Sequence, residues 1–256
     1  VLKPHLPFNA PKKYWDLYNE KDIELASNRY QPKNSRDISM HKYGELRKYT
    51  NIPSDFNINI PDSTQKKLIH GYYACVSYID AEIGRLIQHL KKIDIYENSI
   101  IVLWGDHGWQ LGEHNLWAKH CNYQTSLKVP LLIKYPEQKK QKRINTVVEL
   151  LDIYPTLCDL SNIKKPKHLQ GKSFLSINNS DPENLYGYSK YHRGNTVTSI
   201  DKSYTEWRNK DNNFKADMMY DLLKDPNENT NISNNIENYT KINKFQYLLD
   251  SIRNLD

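Results

Sequence analysis

The sequence predicts an α/β fold: a mixed sheet flanked by helices, with a small antiparallel-sheet subdomain toward the C-terminal end. Three observations carry that expectation. A long stretch with helical apolar spacing precedes two short, continuous apolar runs, and a second helical stretch follows them. After about residue 176 the composition turns to Asn, Ser, Asp, Lys and Tyr, with short strand-like segments between turn residues. With 256 residues, 19 Tyr and 5 Trp, the chain can bury a core, so wholesale disorder is excluded.

Residues 1–63 are irregular, punctuated by Pro4, Pro7, Pro11, Pro32, Pro53 and Pro61, with a short helix expected over Pro11–Tyr18. So long a loop-rich opening is unusual for a self-sufficient domain. Asp62, Ser63 and Thr64 offer N-caps for a long helix. Its apolar stripe would be Leu68, Tyr72, Cys75, Ile79, Ile83, Leu86 and Leu90. Ser99–Trp104 and Val129–Lys134 read as buried strands of a largely parallel sheet. Val147–Leu160 reads as a helix with Leu150, Leu151, Tyr154, Leu157 and Leu160 inward. Strands are expected at Leu185–Lys190, Thr196–Ile200, Tyr204–Trp207 and Met218–Leu222, and a last helix over Tyr239–Ile252. The expected division is residues 1–176 for the α/β part and 177–256 for a small α+β subdomain.

Several function classes drop out on composition. No apolar run approaches the ~18 residues of a membrane span. The net charge is +6, with one basic block at Lys139, Lys140, Lys142 and Arg143. That block reads either as a solvated loop or as a field for an acidic polymer. Neither zinc-finger spacing nor an aromatic RNA-binding signature accompanies it, so nucleic acid is not indicated. Cys75, Cys121 and Cys158 lie far apart, and their odd number argues against a disulfide framework.

The chemistry concentrates in Trp104–His120. A strand there delivers Asp106 and His107 at its carboxyl end, where open α/β sheets place ligands, between Gly105 and Gly108. Asp supplies a hard oxygen and His an imidazole nitrogen, so the pair can ligate a metal, or it can simply cap the strand. Lys119, with Trp117 and His120 beside it, can offset a bound anion or be a solvated loop lysine. His5, between Pro4 and Pro7, is either a positioned imidazole or part of a rigid turn.

These stretches resemble the type I sulfatases of the alkaline phosphatase superfamily, and within them the iduronate-2-sulfatase-like group. The resemblance is carried by Lys3-Pro-His-Leu-Pro-Phe8 with Pro11-Lys-Lys-Tyr-Trp15, by Gly71–Asp80 with Ile83-Gly-Arg85, and by Leu103-Trp-Gly-Asp-His-Gly-Trp109. It continues through Leu111-Gly-Glu-His114, Trp117-Ala-Lys-His120 and Val148–Thr156. Leu169-Gln-Gly-Lys-Ser173, Tyr204-Thr-Glu-Trp207, Tyr220-Asp-Leu and Asp225-Pro-Asn-Glu-Asn229 complete it in family order. The resemblance implies a sulfuric ester hydrolase acting on a sulfated carbohydrate. Asp106 and His107 would be ligands of a Ca2+ ion, and His5 and Lys119 would be catalytic, substrate-binding contacts to the sulfate and the ester oxygen. It also implies a secreted, periplasmic or lysosomal setting.

None of Cys75, Cys121 and Cys158 stands in the C-x-P/A-x-R context from which the family's formylglycine nucleophile is made. The chain is therefore expected to be the C-terminal portion of a longer sulfatase, inactive alone. Two rival readings stay open: a phosphodiesterase or phosphonate hydrolase of the same superfamily, and a non-catalytic remnant that binds an acidic glycan.

Overall fold

The computed structural model of the chain describes residues 2–138, 140–141, 143–176 and 185–253. Lys139 and Lys142 of the basic block, and the start of the expected C-terminal subdomain at residue 177, lie outside them. The chain folds as two compact units. One comprises Val1–Tyr30, His41–His120 and Leu131–Pro136; the other comprises Gln31–Met40, Cys121–Pro130 and Glu137–Asp256.

In the first unit, α1 (Lys12–Trp15) follows Pro11, and α2 (Asp62–Lys92) follows Pro61. Pro61 occupies the N-cap position and no side chain caps the helix; Asp62 instead accepts from Arg29 Nη1 at 2.7 Å. The expected caps are thus replaced by a proline, whose missing N–H is one of the orphans anyway. The inward face of α2 covers only its first half: Gln65, Ile69, His70, Gly71, Ala74 and Cys75 are buried, whereas Leu86 is 58% exposed. Gly71 is where α2 meets the start of the chain. A Cβ there would stand 2.9 Å from Phe8 Cβ and 3.0 Å from the Trp15 ring.

The two apolar runs become β1 (Ile101–Trp104) and β4 (Leu131–Lys134), which pair antiparallel, with Ile101 opposite Lys134 and Trp104 opposite Leu131. This corrects the expected parallel pairing. Short apolar runs specify burial but not direction, and no crossover helix of the kind that joins parallel strands lies in the described stretch between them. Burial is also less than expected: both strands are edges of a two-stranded pair, with Trp104 50% and Leu132 58% exposed. Between them, β2 (Gln110–Leu111) and β3 (Trp117–Ala118) form a hairpin that periodicity did not reveal. The core of this unit gathers Leu6, Phe8, Tyr43, Leu46, Ile69, Cys75, Trp109 and Trp117.

The second unit contains α3 (Gln124–Leu127), α4 (Ile153–Leu160) and a four-stranded antiparallel sheet. Its strands, β5 (Gly187–Tyr191), β6 (Gly194–Thr198), β7 (Lys202–Arg208) and β8 (Phe214–Asp221), lie in sequence order. Helix α5 (Tyr239–Arg253) covers the sheet, Phe245 stacking over Tyr204 at 6.0 Å between ring centres. Arg253 and Arg208 both donate to the fully buried Glu206, which ties α5 to β7. The four strands overlap the expected segments, with β6 starting two residues early at Gly194 and β8 four residues early at Phe214. The last helix runs one residue beyond the expected Tyr239–Ile252. The helix expected over Val147–Leu160 departs further: α4 starts at Ile153, and Leu151 and Tyr154 are exposed while Ile153, Pro155, Thr156 and Cys158 are buried. The inward face is therefore rotated. The carboxylate of Asp152 decides it, accepting from Glu149 N at 2.9 Å and Lys172 N at 2.8 Å, so that Asp152 itself turns inward.

Gly71→Ala is expected to destabilise the protein by roughly 1–3 kcal/mol through overpacking against Phe8 and Trp15. Urea unfolding followed by tryptophan fluorescence measures it, and an unchanged midpoint would show that the helix and the opening segment separate without cost.

Candidate functional site

Three of the four residues singled out by sequence come together around Trp109 in the first unit. His5 is held by its own segment: its Nδ1 lies 2.9 Å from Leu6 O, and because a carbonyl only accepts, Nδ1 carries the hydrogen. In the neutral ring Nε2 is then an acceptor, and Lys119 Nζ donates to it at 2.7 Å across 114 positions of sequence. Lys119 follows β3 directly, and its ammonium lies 5.3 Å from the centre of the Trp109 ring. The His5 ring meets the same indole edge-on at 5.5 Å, and the His107 ring lies 6.0 Å from it.

Sequence reasoning passed over the group on which these residues converge. Glu45 Oε1 stands 3.3 Å from His5 Nε2 and 3.6 Å from Lys119 Nζ, and Glu45 Oε2 stands 3.9 Å from His120 Nε2. Glu45 sits in an irregular segment far from every recognisable stretch, so no spacing marked it; only the three-dimensional convergence does. Behind it, the His41 ring lies 6.2 Å from His120. His41 Nδ1 accepts from Tyr43 N at 2.9 Å.

Burial, aided by the neighbouring His120, brings His41 down from 6.5 to about 4. His120 is also lowered, chiefly by burial, with Glu45 opposing and Lys119, His107 and His5 adding to the shift. Both rings are therefore neutral at pH 7, and the centre holds one ammonium, one carboxylate and several imidazoles in a partly dry setting. Lys119 keeps two hydrogens beyond the one given to His5, and its side chain is only 19% exposed. This is the chemistry of a site for a small anion.

Asp106 and His107 follow β1. His107 Nδ1 lies 2.8 Å from Gly108 O, which leaves Nε2 as its free lone pair. Asp106 is 87% exposed, its Oδ1 accepting from His107 N at 3.2 Å. Calcium takes about six to eight oxygen ligands. Among the described residues there is no cluster of three or more His, Cys, Asp and Glu able to hold a metal. One exposed carboxylate and one imidazole nitrogen do not make that shell by themselves.

Comparison with known proteins places this geometry in a family. Residues 1–163 match the sulfatase family, and residues 112–254 match the family described as N-sulphoglucosamine sulphohydrolase, C-terminal. The chain belongs to the sulfatase family. A sulfatase of Formosa agariphila is 34% identical over 96% of this chain and 48% of its own length. The iduronate 2-sulfatase of Mus musculus is 27% identical over 74% and 40%, and an arylsulfatase of Clostridium perfringens is 28% identical over 97% and 51%. This sulfatase chain thus spans about half the length of the curated relatives it matches. Among solved structures, a phosphonate monoester hydrolase of Silicibacter pomeroyi superposes with a TM-score of 0.77 at 21% identity, over 98% of this chain and 54% of that one. A protein in complex with its substrate D-glucosamine-2-N,6-O-disulfate superposes with a TM-score of 0.71 at 20% identity, over 98% and 63%. At these identities the two structures speak for the fold.

No helix among the described residues is long and apolar enough to cross a membrane.

Because the folded-state pKa of His41 lies below its unfolded value, the unfolded chain binds the extra proton first. Stability is therefore expected to fall as pH drops from about 6.5 toward about 4. Unfolding midpoints at pH 7 and pH 5 measure this, and His41→Asn is expected to flatten the difference. An equal slope in the variant would assign the acid sensitivity to other groups.

Proposed function

We propose that this chain supplies half of the active site of a sulfuric ester hydrolase acting on a sulfated carbohydrate. The single observation that carries the reading is the Lys119–His5 contact at 2.7 Å beside Trp109. It sets a partly desolvated ammonium and an oriented imidazole on one spot. Lys119 is the contact to the sulfate oxygens, where charge builds as the ester bond opens, and a fixed ammonium at low exposure stabilises that charge more than one in water would. His5 faces the ester oxygen. Its Nε2 accepts from Lys119 in the neutral ring, so it must first take up a proton from solvent before it can give one to the departing alcohol, with Leu6 O keeping the ring in place.

Asp106 and His107 are proposed to contribute two donors to a calcium ion whose other ligands lie outside the described residues. The nucleophile is likewise assigned to a part of the protein outside this sequence, since no cysteine here has the modification context. The relatives named iduronate 2-sulfatase and arylsulfatase support sulfate esters, and the solved complex with a glucosamine disulfate supports a sulfated sugar. The likeness to a phosphonate monoester hydrolase keeps phosphonate or phosphate esters as the second reading.

The test is release of inorganic sulfate from a sulfated glucosamine by the natural polypeptide, followed by ion chromatography. Turnover is expected, and Lys119→Ala is expected to lower kcat/KM by about 100-fold or more. Hydrolysis of a phosphonate monoester without sulfate release would establish the second reading. Retention of sulfated glycan with no hydrolysis of either ester would leave only binding.

A further inference from the structure

We infer that Glu45 determines specificity in the anion site: its carboxylate makes the site favour a singly charged sulfate ester over a doubly charged phosphate ester of the same shape. This deepens the sulfatase reading above and rests on it.

The argument begins with position. Lys119, the cation that would receive an anionic oxygen, lies 3.6 Å from Glu45, with His5 Nε2 at 3.3 Å and His120 Nε2 at 3.9 Å from the same carboxylate. Each separation exceeds the length of a good charge-assisted hydrogen bond, about 2.7–2.9 Å, so the carboxylate is near these groups without being consumed by them. Its Oε2 is buried and has no hydrogen-bond partner among the described residues. An anion taking the two remaining hydrogens of Lys119 must therefore lie within several ångströms of a carboxylate whose counter-charge is Lys119 itself.

The backbone beside the carboxylate is also held. Glu45 precedes a single 3-10 turn, Leu46–Lys48, whose Leu46 is buried. Arg47, buried as well, donates to Lys42 O at 3.2 Å, to the Tyr43 hydroxyl at 2.9 Å and to Ile58 O at 2.8 Å. These bonds pin the backbone that carries Glu45.

Shape and hydrogen bonding are nearly the same for a sulfate monoester and a phosphate monoester, but their charges differ. The sulfate ester carries one negative charge, and the phosphate ester carries close to two above its second pKa of about 6. Repulsion from the carboxylate and attraction to Lys119 both grow with the charge of the guest, so the carboxylate facing Lys119 offsets what a second negative charge would gain from the ammonium. At intermediate dielectric and a separation of about 6 Å, one extra unit of charge shifts affinity by roughly tenfold or more.

Methyl sulfate and methyl phosphate are the probes, titrated calorimetrically into the natural polypeptide at pH 8. The wild-type protein is expected to prefer methyl sulfate. Glu45→Gln is expected to strengthen methyl phosphate binding at least about fivefold more than methyl sulfate binding, collapsing the preference. Glu45→Asp keeps the charge and is expected to keep the preference. That separates charge from packing, since a structural role would move both probes together. An unchanged ratio in Glu45→Gln, with both probes still bound and the near-UV circular dichroism intact, overturns the role of Glu45 and leaves the anion site standing. Failure of the wild type to bind either probe overturns the anion site, and this inference falls with it.

Discussion

The short hairpin formed by β2 and β3 is the constraint on which the candidate site depends. It has two rungs, Gln110 opposite Ala118 and Leu111 opposite Trp117, closed where Gly112 takes a φ of 116° that a side chain would resist. Leu116, Trp117 and Ala118 are almost wholly buried, and burying each of the two large side chains is worth about 1.5–3 kcal/mol. Glu113 Oε2 accepts from Leu111 N at 2.6 Å, and His114 N donates to Asn28 O at 2.8 Å, so the turn is fastened at both its own strand and a distant loop. The chain leaves Trp109, turns, and returns with Lys119 over the same indole. Without that return, Lys119 and His5 would be unrelated residues.

Charge in the site follows from burial more than from the number of basic groups. Desolvation keeps His41 neutral and lowers His120, which leaves Lys119 and Glu45 as the charges that matter at neutral pH. A lone cation in such a setting would be costly, and Glu45 offsets it. The same carboxylate then stands against any incoming anion. Stability of the empty site and affinity for substrate therefore pull in opposite directions on one residue.

Several stretches that carry the resemblance to sulfatases do structural work in the second unit. Thr156 donates to Asp152 O at 2.6 Å and accepts from Phe174 N at 3.1 Å. A Cβ on Gly171 would stand 2.2 Å from Leu151 O, so only glycine fits there. Asp225 accepts from Thr230 N at 2.8 Å, and Glu228, fully enclosed and pushed up to about 8 by burial, accepts from Gln124 N at 2.7 Å. These motifs identify the fold because they close its turns. The chemistry rests on a few positions in the first unit.

What the sequence determined by itself is the part governed by local rules. Alternation placed β5 to β8, helical spacing placed α2 and α5, and the order of motifs pointed to the family, because each depends on residues close together in the chain. The residues His5, Asp106, His107 and Lys119 were marked as candidates by their neighbours. Tertiary structure decided everything that depends on distant partners. It set the antiparallel pairing of β1 with β4, since a short apolar run has no direction. It set the inward face of α4, since Asp152 found its amide donors at Glu149 and Lys172. It joined His5 to Lys119 and brought Glu45 beside them, since a contact spanning more than a hundred residues follows from the packing around Trp109 and Trp117 and leaves no period in the sequence.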